Sequence, residues 1–321
     1  DVCSSDLLRL LVLGLLMGAA GAQAQNVGAI SGKVTDTSAA VIPGASVELR
    51  NVDTGATRTV STDSQGNYRA PELPLGSYQL DASFQGFQKV QRTGIQITLG
   101  RDATVDFQLP VGEVAEVVTV TGDAPLVETT KADMGALVTR EQISDLPLRS
   151  RDFSQLITMQ AGAVQYRHAT GSDIAGYGAR ISVSGARTSS NSFTLDGVDI
   201  NTPNQLIPSG VDGTMLGVEA IREFKVLGSN YSAQYGRAAG ANLQAVSRSG
   251  TNQLHGSAFE YLRNDNLDSA RWETNAFGLR KPEFKRNQFG ASMGGPIVMD
   301  KTHFFATYEG VRQIFPQSQV S

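Results

Sequence analysis

The sequence predicts a mainly β chain built from three successive parts. These are an immunoglobulin-like β-sandwich, a mixed α+β domain, and a set of longer strands typical of an incomplete transmembrane β-barrel. Three observations support this. Short alternating segments are separated by Gly- and Pro-containing turns, long helical periods are rare in a chain with 34 glycines among 321 residues, and the alternating segments lengthen after Gly250.

Composition excludes several function classes. A net charge of -4 leaves no basic face for nucleic acid. One Cys and three widely separated His give no ligand-spaced metal set, so we assign neither a metal nor another cofactor. The stretch Gly290–Gly294 matches the Gly-x-Ser-x-Gly pattern of hydrolases, but Pro296 forbids the helix that this nucleophile needs. We therefore predict that the protein is not an enzyme.

The first residues predict a secretory signal peptide. Arg9 precedes a dozen apolar residues and an Ala22-Gln-Ala24 cleavage site. The apolar run is shorter than the ~20 residues that span a bilayer. We expect residues 1–24 to be removed. Residues 1–7 lack an initiator Met and carry two acids where positive charge belongs, so we expect them to be a sequencing artefact.

Residues 25–110 predict the β-sandwich, because strands and turn signals alternate at the spacing of that fold. Inward-facing side chains are expected at Val47, Leu49, Tyr68, Tyr78 and Leu80. The seven predicted strands are Ile30–Thr35, Ala45–Asn51, Thr57–Thr62, Gly66–Ala70, Gly76–Phe84, Gln88–Thr98 and Ala103–Leu109.

The turns of this region carry a resemblance to carboxypeptidase regulatory-like domains. The matching patterns are Gly32-x-Val-x-Asp36, Pro43-Gly-Ala-x-Val47, Gly66-x-Tyr68 and Leu75-Gly-x-Tyr78. The resemblance implies an accessory module without a peptidase zinc site. A plain spacer is the favoured interpretation, because no exposed aromatic cluster indicates a ligand face.

A linker, residues 111–130, follows the sandwich. Its centre is rich in β-branched residues, which favour an extended strand that can add to the sheet edge of another protein. The alternative is that it forms the last strand of the sandwich itself. The segment consists of Glu116, Val117, Val118, Thr119, Val120 and Thr121.

Residues 131–250 predict the α+β domain. A capping box at Thr139–Gln142 opens a helix over Arg140–Leu146, which Pro147 ends. A second helix is expected over Arg151–Gln160, with Phe153, Leu156 and Ile157 on one face.

A tight hairpin is predicted where Leu195, Asp196, Gly197 and Val198 follow one another, because Asp-Gly favours such turns. Together with the Tyr235-Gly236 and Gly240 element, this series resembles the plug domain of TonB-dependent outer-membrane receptors. The resemblance implies that Glu116–Thr121 is a TonB box and that the hairpin turn is a folding element of the plug.

Residues 251–321 predict barrel strands, with apolar side chains alternating with polar or small ones. Phe304, Ala306 and Tyr308 alternate with Phe305, Thr307 and Glu309, and a similar pattern sets Phe259 and Tyr261 outward. Motifs such as Phe289–Pro296 and Tyr308-Glu-Gly-x-Arg312 resemble the Oar-like branch of these receptors. Since such barrels have about 22 strands and lipid tolerates no open edge, we expect an N-terminal fragment that does not insert alone.

The resemblance implies energised uptake of a substrate across the outer membrane of a Gram-negative-type bacterium, with the sandwich in the periplasm. The implied partners are TonB of the inner-membrane energising complex, outer-membrane lipid, and an extracellular peptide, protein or oligosaccharide. A secreted adhesin or glycan-binding protein is the alternative. Candidate substrate contacts on polar plug loops are Arg187, Asn191, Asn201, Asn204 and Gln205.

Overall fold

The computed structural model describes three β-rich parts that follow one another along the chain. The described residues are 27–112, 117–121, 134–145, 151, 153–166, 180–201, 216–229, 231, 235–236, 239–270 and 272–314. The predicted signal peptide, 1–24, lies outside these residues. Within them, no helix is long and apolar enough to cross a membrane.

The first part is a β-sandwich of two facing sheets. One has the order β4-β1-β7 with β8 also paired to β1, and the other has the order β3-β2-β5-β6-β9. The strands are β1 Val27–Asp36, β2 Ser46–Asn51, β3 Thr57–Ser61, β4 Asn67–Pro74, β5 Gly76–Ser83, β6 Lys89–Ile97, β7 Asp102–Thr104, β8 Phe107–Leu109 and β9 Val117–Thr121.

Period-two alternation builds the core between the sheets. On β2, Val47 and Leu49 are buried while Glu48 and Arg50 are exposed. Each large aliphatic side chain buried in this way contributes about 1.5–3 kcal/mol. All five residues predicted to face inward are buried, which confirms the interpretation: Val47, Leu49, Tyr68, Tyr78 and Leu80.

Each of the seven predicted strands overlaps an observed one, but the last is divided into β7 and β8. The point of division lies against Gly32 of β1. A Cβ there would lie 1.9 Å from the carbonyl oxygen of Val105, so only glycine fits. Between the two short strands, the Asp106 carboxylate accepts a hydrogen bond from the Lys33 backbone N–H at 2.8 Å.

The second part is an α+β domain centred on a five-stranded sheet of order β10-β15-β16-β13-β14. A separate β11–β12 hairpin lies beside it. The strands are β10 Met134–Val138, β11 Ala163–Tyr166, β12 Arg180–Val183, β13 Ser192–Leu195, β14 Val198–Asp199, β15 Ile221–Ser229 and β16 Asn242–Ser247.

The predicted hairpin at Asp196–Gly197 is confirmed. β13 and β14 pair antiparallel around it, and both turn residues have positive φ, 50° and 79°. Such a pair of positive φ values is the signature of the tight turn that Asp-Gly favours. The Asp196 carboxylate also accepts the Ser247 backbone N–H at 2.9 Å, so the turn is tied to the end of β16.

The two predicted helices are present with one difference. Helix α1, Arg140–Asp145, begins at the expected capping box, where the Gln142 side chain accepts the Thr139 backbone N–H at 3.1 Å. The second helix is a 3-10 helix, Phe153–Met159, rather than an α-helix. Leu156 and Ile157 are buried as expected, whereas the side chain of Phe153 lies outside the described residues.

The third part is an antiparallel sheet of order β17-β18-β19. Its strands are β17 His255–Asn264, β18 Lys285–Val298 and β19 Thr302–Ile314, with helix α2, Trp272–Ala276, between the first two. Gly290–Gly294 lies within β18, so no strand-to-helix turn exists there.

The direction of alternation differs from the prediction on β17. Phe259 and Tyr261 pair with Gly290 and Gln288 of β18, and both aromatic rings lie against the side chain of Arg151. They therefore face the α+β domain, and the prediction that they point outward is wrong. Sequence alternation fixes the period of a strand but not which of its faces is inward.

Candidate functional site

The candidate site is the contact between the α+β domain and the β17–β19 sheet. It is centred on Glu219, which lies in the 3-10 helix Val218–Ala220 immediately before β15. Ile221, the first residue of β15, is fully buried. The adjoining strand therefore holds the glutamate at the edge of the domain core.

Two arginines of the same domain neutralise Glu219. Arg151 donates to one carboxylate oxygen at 2.9 Å, and Arg248 lies 3.3 Å from the other. The side chains are only 12% exposed for Arg151, 15% for Glu219 and 6% for Arg248. Burial lowers the pKa of Arg248, but an arginine remains protonated at neutral pH. We name these three residues, together with Glu309, the Glu219 cluster.

The β17–β19 sheet supplies the other side of the Glu219 cluster. Glu309 of β19 lies 3.7 Å from the Arg151 guanidinium and is 5% exposed. Ser257 of β17 donates to Glu219 at 3.0 Å, and the Arg248 guanidinium lies 4.7 Å from the Phe305 ring centroid. Two arginines and two glutamates thus form a buried network that spans both structural parts.

Arg151 is held in an unfavourable backbone conformation. Its φ is 51°, in the left-handed region that non-glycine residues seldom occupy. The guanidinium is fixed by Glu219, by the Tyr261 hydroxyl at 3.1 Å and by the Phe259 ring at 4.0 Å. Such strain persists only where surrounding contacts over-determine it, so these contacts fix both the backbone and the charge.

A second contact joins the α+β domain to the sandwich. The Glu223 carboxylate of β15 accepts the Leu99 backbone N–H at 2.6 Å, and Lys225 donates to the Gly100 carbonyl at 3.3 Å. Glu223 is only 6% exposed, and burial raises its pKa. This contact relies on one carboxylate and backbone groups rather than on an arginine–glutamate network.

The sandwich also touches the β18–β19 turn. The Asn252 backbone N–H donates to the Asp53 carbonyl of the sandwich at 2.8 Å. The Asn252 side chain donates to Asp300 at 2.8 Å and accepts the Asp300 backbone N–H at 2.9 Å. The sandwich and the third part therefore meet at Asn252.

The segment predicted to bind TonB has a partner within the chain. β9 pairs in parallel with β6, with Lys89 opposite Val117 and Thr93 opposite Thr121. The alternative interpretation, in which the segment forms the last strand of the sandwich, is confirmed for 117–121, where the Val- and Thr-rich sequence completes the second sheet. Glu116 lies outside the described residues. The interaction with TonB itself stays a prediction.

The predicted substrate contacts have different environments. Arg187 is exposed on its loop. Asn191 was expected on an exposed loop but is buried, donating to the Ile181 carbonyl at 2.7 Å and accepting the Ala241 N–H at 2.9 Å. It is a structural residue of the sheet. Asn201 is half-buried and accepts the Phe193 N–H, while Asn204 and Gln205 lie outside the described residues.

Sequence reasoning did not select the Glu219 cluster. The available signal was a charged residue within an apolar run, as in Val218-Glu-Ala220, and an acid on the inner face of an alternating strand, as at Glu309. Neither residue type nor spacing indicates that these acids meet at Arg151, since all three residues are far apart in sequence.

Comparison with protein families assigns each structural part. Residues 29–110 match the carboxypeptidase regulatory-like domain, residues 128–242 the TonB-dependent receptor plug domain, and residues 246–321 an outer membrane beta barrel domain. A relative, the TonB-dependent transporter Oar of Myxococcus xanthus, is 30% identical over 263 residues, which cover 78% of this chain. The chain belongs to the TonB-dependent receptors. It spans 23% of the length of that relative.

Solved structures of two receptors are also similar. The siderophore receptor PirA from Acinetobacter baumannii is 22% identical, covers 55% of this chain and 24% of its own, and gives a TM-score of 0.39. The ferric enterobactin receptor from Pseudomonas aeruginosa is 14% identical over 58% of this chain and 26% of its own, with a TM-score of 0.40. Since TonB-dependent receptors are not enzymes, no catalytic residue is assigned.

Proposed function

We propose that the protein is an outer-membrane transporter that takes up its substrate with energy supplied through TonB. The observation that carries the proposal is the Glu219 cluster, which holds the plug sheet against the first barrel strands. Transport requires a plug that stays bound to the barrel strands at rest and that is displaced when force is applied to it. A buried network of two arginines and two glutamates meets the first requirement.

The strand order of the plug indicates how a force applied by TonB would be transmitted to the Glu219 cluster. A force on 116–121 passes along the chain to β10, an edge strand whose one pairing partner in the described part of the chain is β15. β15 begins at Ile221, two residues after Glu219, and carries Glu223. Detachment of β10 would therefore expose β15, the strand that runs between the sandwich contact and the barrel contact. The force would then act on the Glu219 cluster.

The connections of the barrel sheet support a periplasmic sandwich. β18 and β19 are joined by the short turn 299–301, whereas 265–284 form the long connection between β17 and β18. Outer-membrane barrels have short periplasmic turns and longer extracellular loops. Asp300 of the short turn lies in the contact with Asn252 and the sandwich, which supports our proposal that the sandwich is on the periplasmic side.

The plug loops at the opposite end are the proposed substrate face. β13 is parallel to β16, so Ser192 lies beside Asn242, and the chain leaves β16 at Ser247 towards the sandwich contact. The loop that precedes Ser192 therefore lies at the far end, and it exposes Arg187. Asn201 returns to the same end beside Phe193. A peptide, protein or oligosaccharide would meet these residues first.

The partner is tested with paired substitutions in β9 of the whole protein. Val118→Pro with Val120→Pro removes two backbone donors. At roughly 1 kcal/mol per lost hydrogen bond, binding to the purified periplasmic domain of TonB should weaken by more than about tenfold. Biolayer interferometry in detergent measures this.

The matched control is Val118→Ile with Val120→Ile, which keeps every backbone donor and should bind as the wild type does. Absence of binding by the wild type would refute the TonB partner. The adhesin alternative instead predicts ligand binding by the sandwich that the proline pair leaves unchanged.

A further inference from the structure

The two sheets of the sandwich have four edges among the described residues. These edges differ in how they are protected against the addition of another strand. β4 contains Pro71 and Pro74, and Glu72 within it has a φ of 56°. Prolines and irregular backbone stop the addition of another strand. On the other side of the same sheet, β7 and β8 have only three residues each, and very short edges are poor templates.

The second sheet is protected at one edge only. β3 carries Arg58, which donates to the Pro71 carbonyl and so ties that edge to the facing sheet. At the other edge, β9 consists of Val, Val, Thr, Val and Thr, without charge, proline or glycine. No strand of the described part of the chain lies beyond β9 in this sheet. β9 is thus the one edge whose sequence favours a further strand.

The neighbouring strand β6 is a firm support for β9. Val90, Ile95 and Ile97 of β6 are buried in the sandwich core. Asp81 of β5 ties the outer side of β6 by an ion pair with Lys89 at 3.0 Å and a hydrogen bond from Gln91 at 3.0 Å. The strand that contacts β9 is therefore fixed on both of its faces.

The chain is also guided onto β6 before β9 begins. The Gln88 N–H donates to the Pro110 carbonyl at 2.9 Å, and the Gly112 N–H donates to the Gly86 carbonyl at 3.2 Å. Free chain loses about 1–2 kcal/mol per residue when its backbone is ordered. Docking on β6 has already ordered 117–121 in the extended form that strand addition needs.

We propose that the sandwich is a presentation scaffold, which holds β9 extended on β6 and offers the outer edge of β9 to a strand of a partner's sheet. The result is a continuous sheet in which β9 lies between β6 and the partner strand. This assigns the sandwich a role in partner recognition rather than that of a spacer. The identity of the partner, TonB, rests on the proposed function.

A disulfide between β6 and β9 tests the proposal in the whole protein with Cys3→Ser. Gln91 and Thr119 are register partners, so Gln91→Cys with Thr119→Cys should form a disulfide. Gln91→Cys with Thr121→Cys is displaced by two residues and should form none. Failure of the first pair to oxidise would overturn the proposal.

Binding to the periplasmic domain of TonB then separates the outcomes. The oxidised protein should bind within about threefold of the reduced protein, and a free peptide of residues 112–123 should bind about tenfold more weakly, because it is not preorganised. Loss of binding on oxidation alone would show that β9 must leave β6, which overturns presentation and leaves the TonB partner intact. If neither form binds, the partner is wrong. If the protein dimerises unless Val118→Pro is present, the edge belongs to a second copy, and the proposal is also overturned.

Discussion

Glu219 and Glu223 lie four residues apart on the two borders of the plug, and their carboxylates have different kinds of partner. Glu219 faces the barrel strands and has Arg151 at 2.9 Å and Arg248 at 3.3 Å. Glu223 faces the sandwich and receives the backbone N–H of Leu99 at 2.6 Å. One border is closed by a charge network, and the other by a carboxylate that forms no ion pair with an arginine of the described residues.

Two glutamates that are both largely buried thus form two different kinds of interface. At Glu219, the two arginines offset the loss of hydration, so that the network is stable only while all its members are present. At Glu223, burial raises the pKa, against the opposing effects of the Leu99 hydrogen bond and Arg222. The barrel contact is therefore sensitive to removal of a partner, and the sandwich contact is sensitive to pH.

Removal of a positive charge from the barrel border should have the largest effect. Arg151→Ala removes the arginine that contacts both Glu219 and Glu309, which should lower the free energy of unfolding of the plug by about 3–5 kcal/mol. Urea unfolding of the whole protein in detergent, followed by hydrogen exchange of β15 and β16 amides, measures the loss.

Arg263→Ala is the matched control for that substitution. Arg263 also pairs with an acid, Asp268 at 3.0 Å, and lies over an aromatic ring, but its side chain is 63% exposed. Exposed pairs contribute at most about 1 kcal/mol. Equal losses for the two variants would show that the buried network does not hold the plug.

Truncation at the sandwich border should have an intermediate effect. Glu223→Ala leaves the Leu99 N–H buried without its acceptor, which costs about 1–3 kcal/mol. Glu223→Gln keeps an acceptor and should lose less than half of this. Hydrogen exchange of residues 98–101 reports the contact directly, and identical exchange in the two variants would contradict the assigned hydrogen bond.

Titration of Glu223 should give the smallest effect. Because its pKa in the folded protein is raised above 4.5, the folded state binds the proton more tightly than the unfolded state does. The stabilisation is complete below pH 4.5 and is lost as pH rises through the folded pKa. The charged groups that act on Glu223 are Arg222, which opposes the shift, and Glu141, which adds to it.

Exchange at residues 98–101, corrected for the intrinsic pH dependence of amide exchange, should therefore speed up as pH rises. Glu223→Gln should abolish this dependence, because it cannot titrate. A dependence that survives in Glu223→Gln would assign the effect to another group.

The sequence predicted the parts of the fold that local patterns determine. Alternation located the sandwich strands, the Asp196-Gly197 dipeptide located the hairpin, and the Thr139–Gln142 box located the start of α1. Each of these signals acts between residues close in the chain. Motif resemblance added the family.

Contacts between distant segments could not be predicted from such signals. The pairing of β9 with β6, the inward side of Phe259 and the burial of Asn191 all depend on which surfaces meet. The same holds for the Glu219 cluster, whose members come from four separate segments. A single sequence gives the polarity of each segment, but the partner of each polar group is decided by tertiary packing.

The distribution of charge in the Glu219 cluster bears on how a displaced plug returns. Arg151, Arg248 and Glu219 lie within 131–250, the predicted plug, and together carry one positive charge, whereas Glu309 on the barrel strand carries one negative charge. Separation of the two parts leaves complementary charges on the plug and on the wall. The attraction between them would guide reseating within roughly 8 Å at physiological salt, the distance over which ions in solution screen it. Under the proposed transport function, the cluster that joins the two parts at rest would also direct the return of the plug.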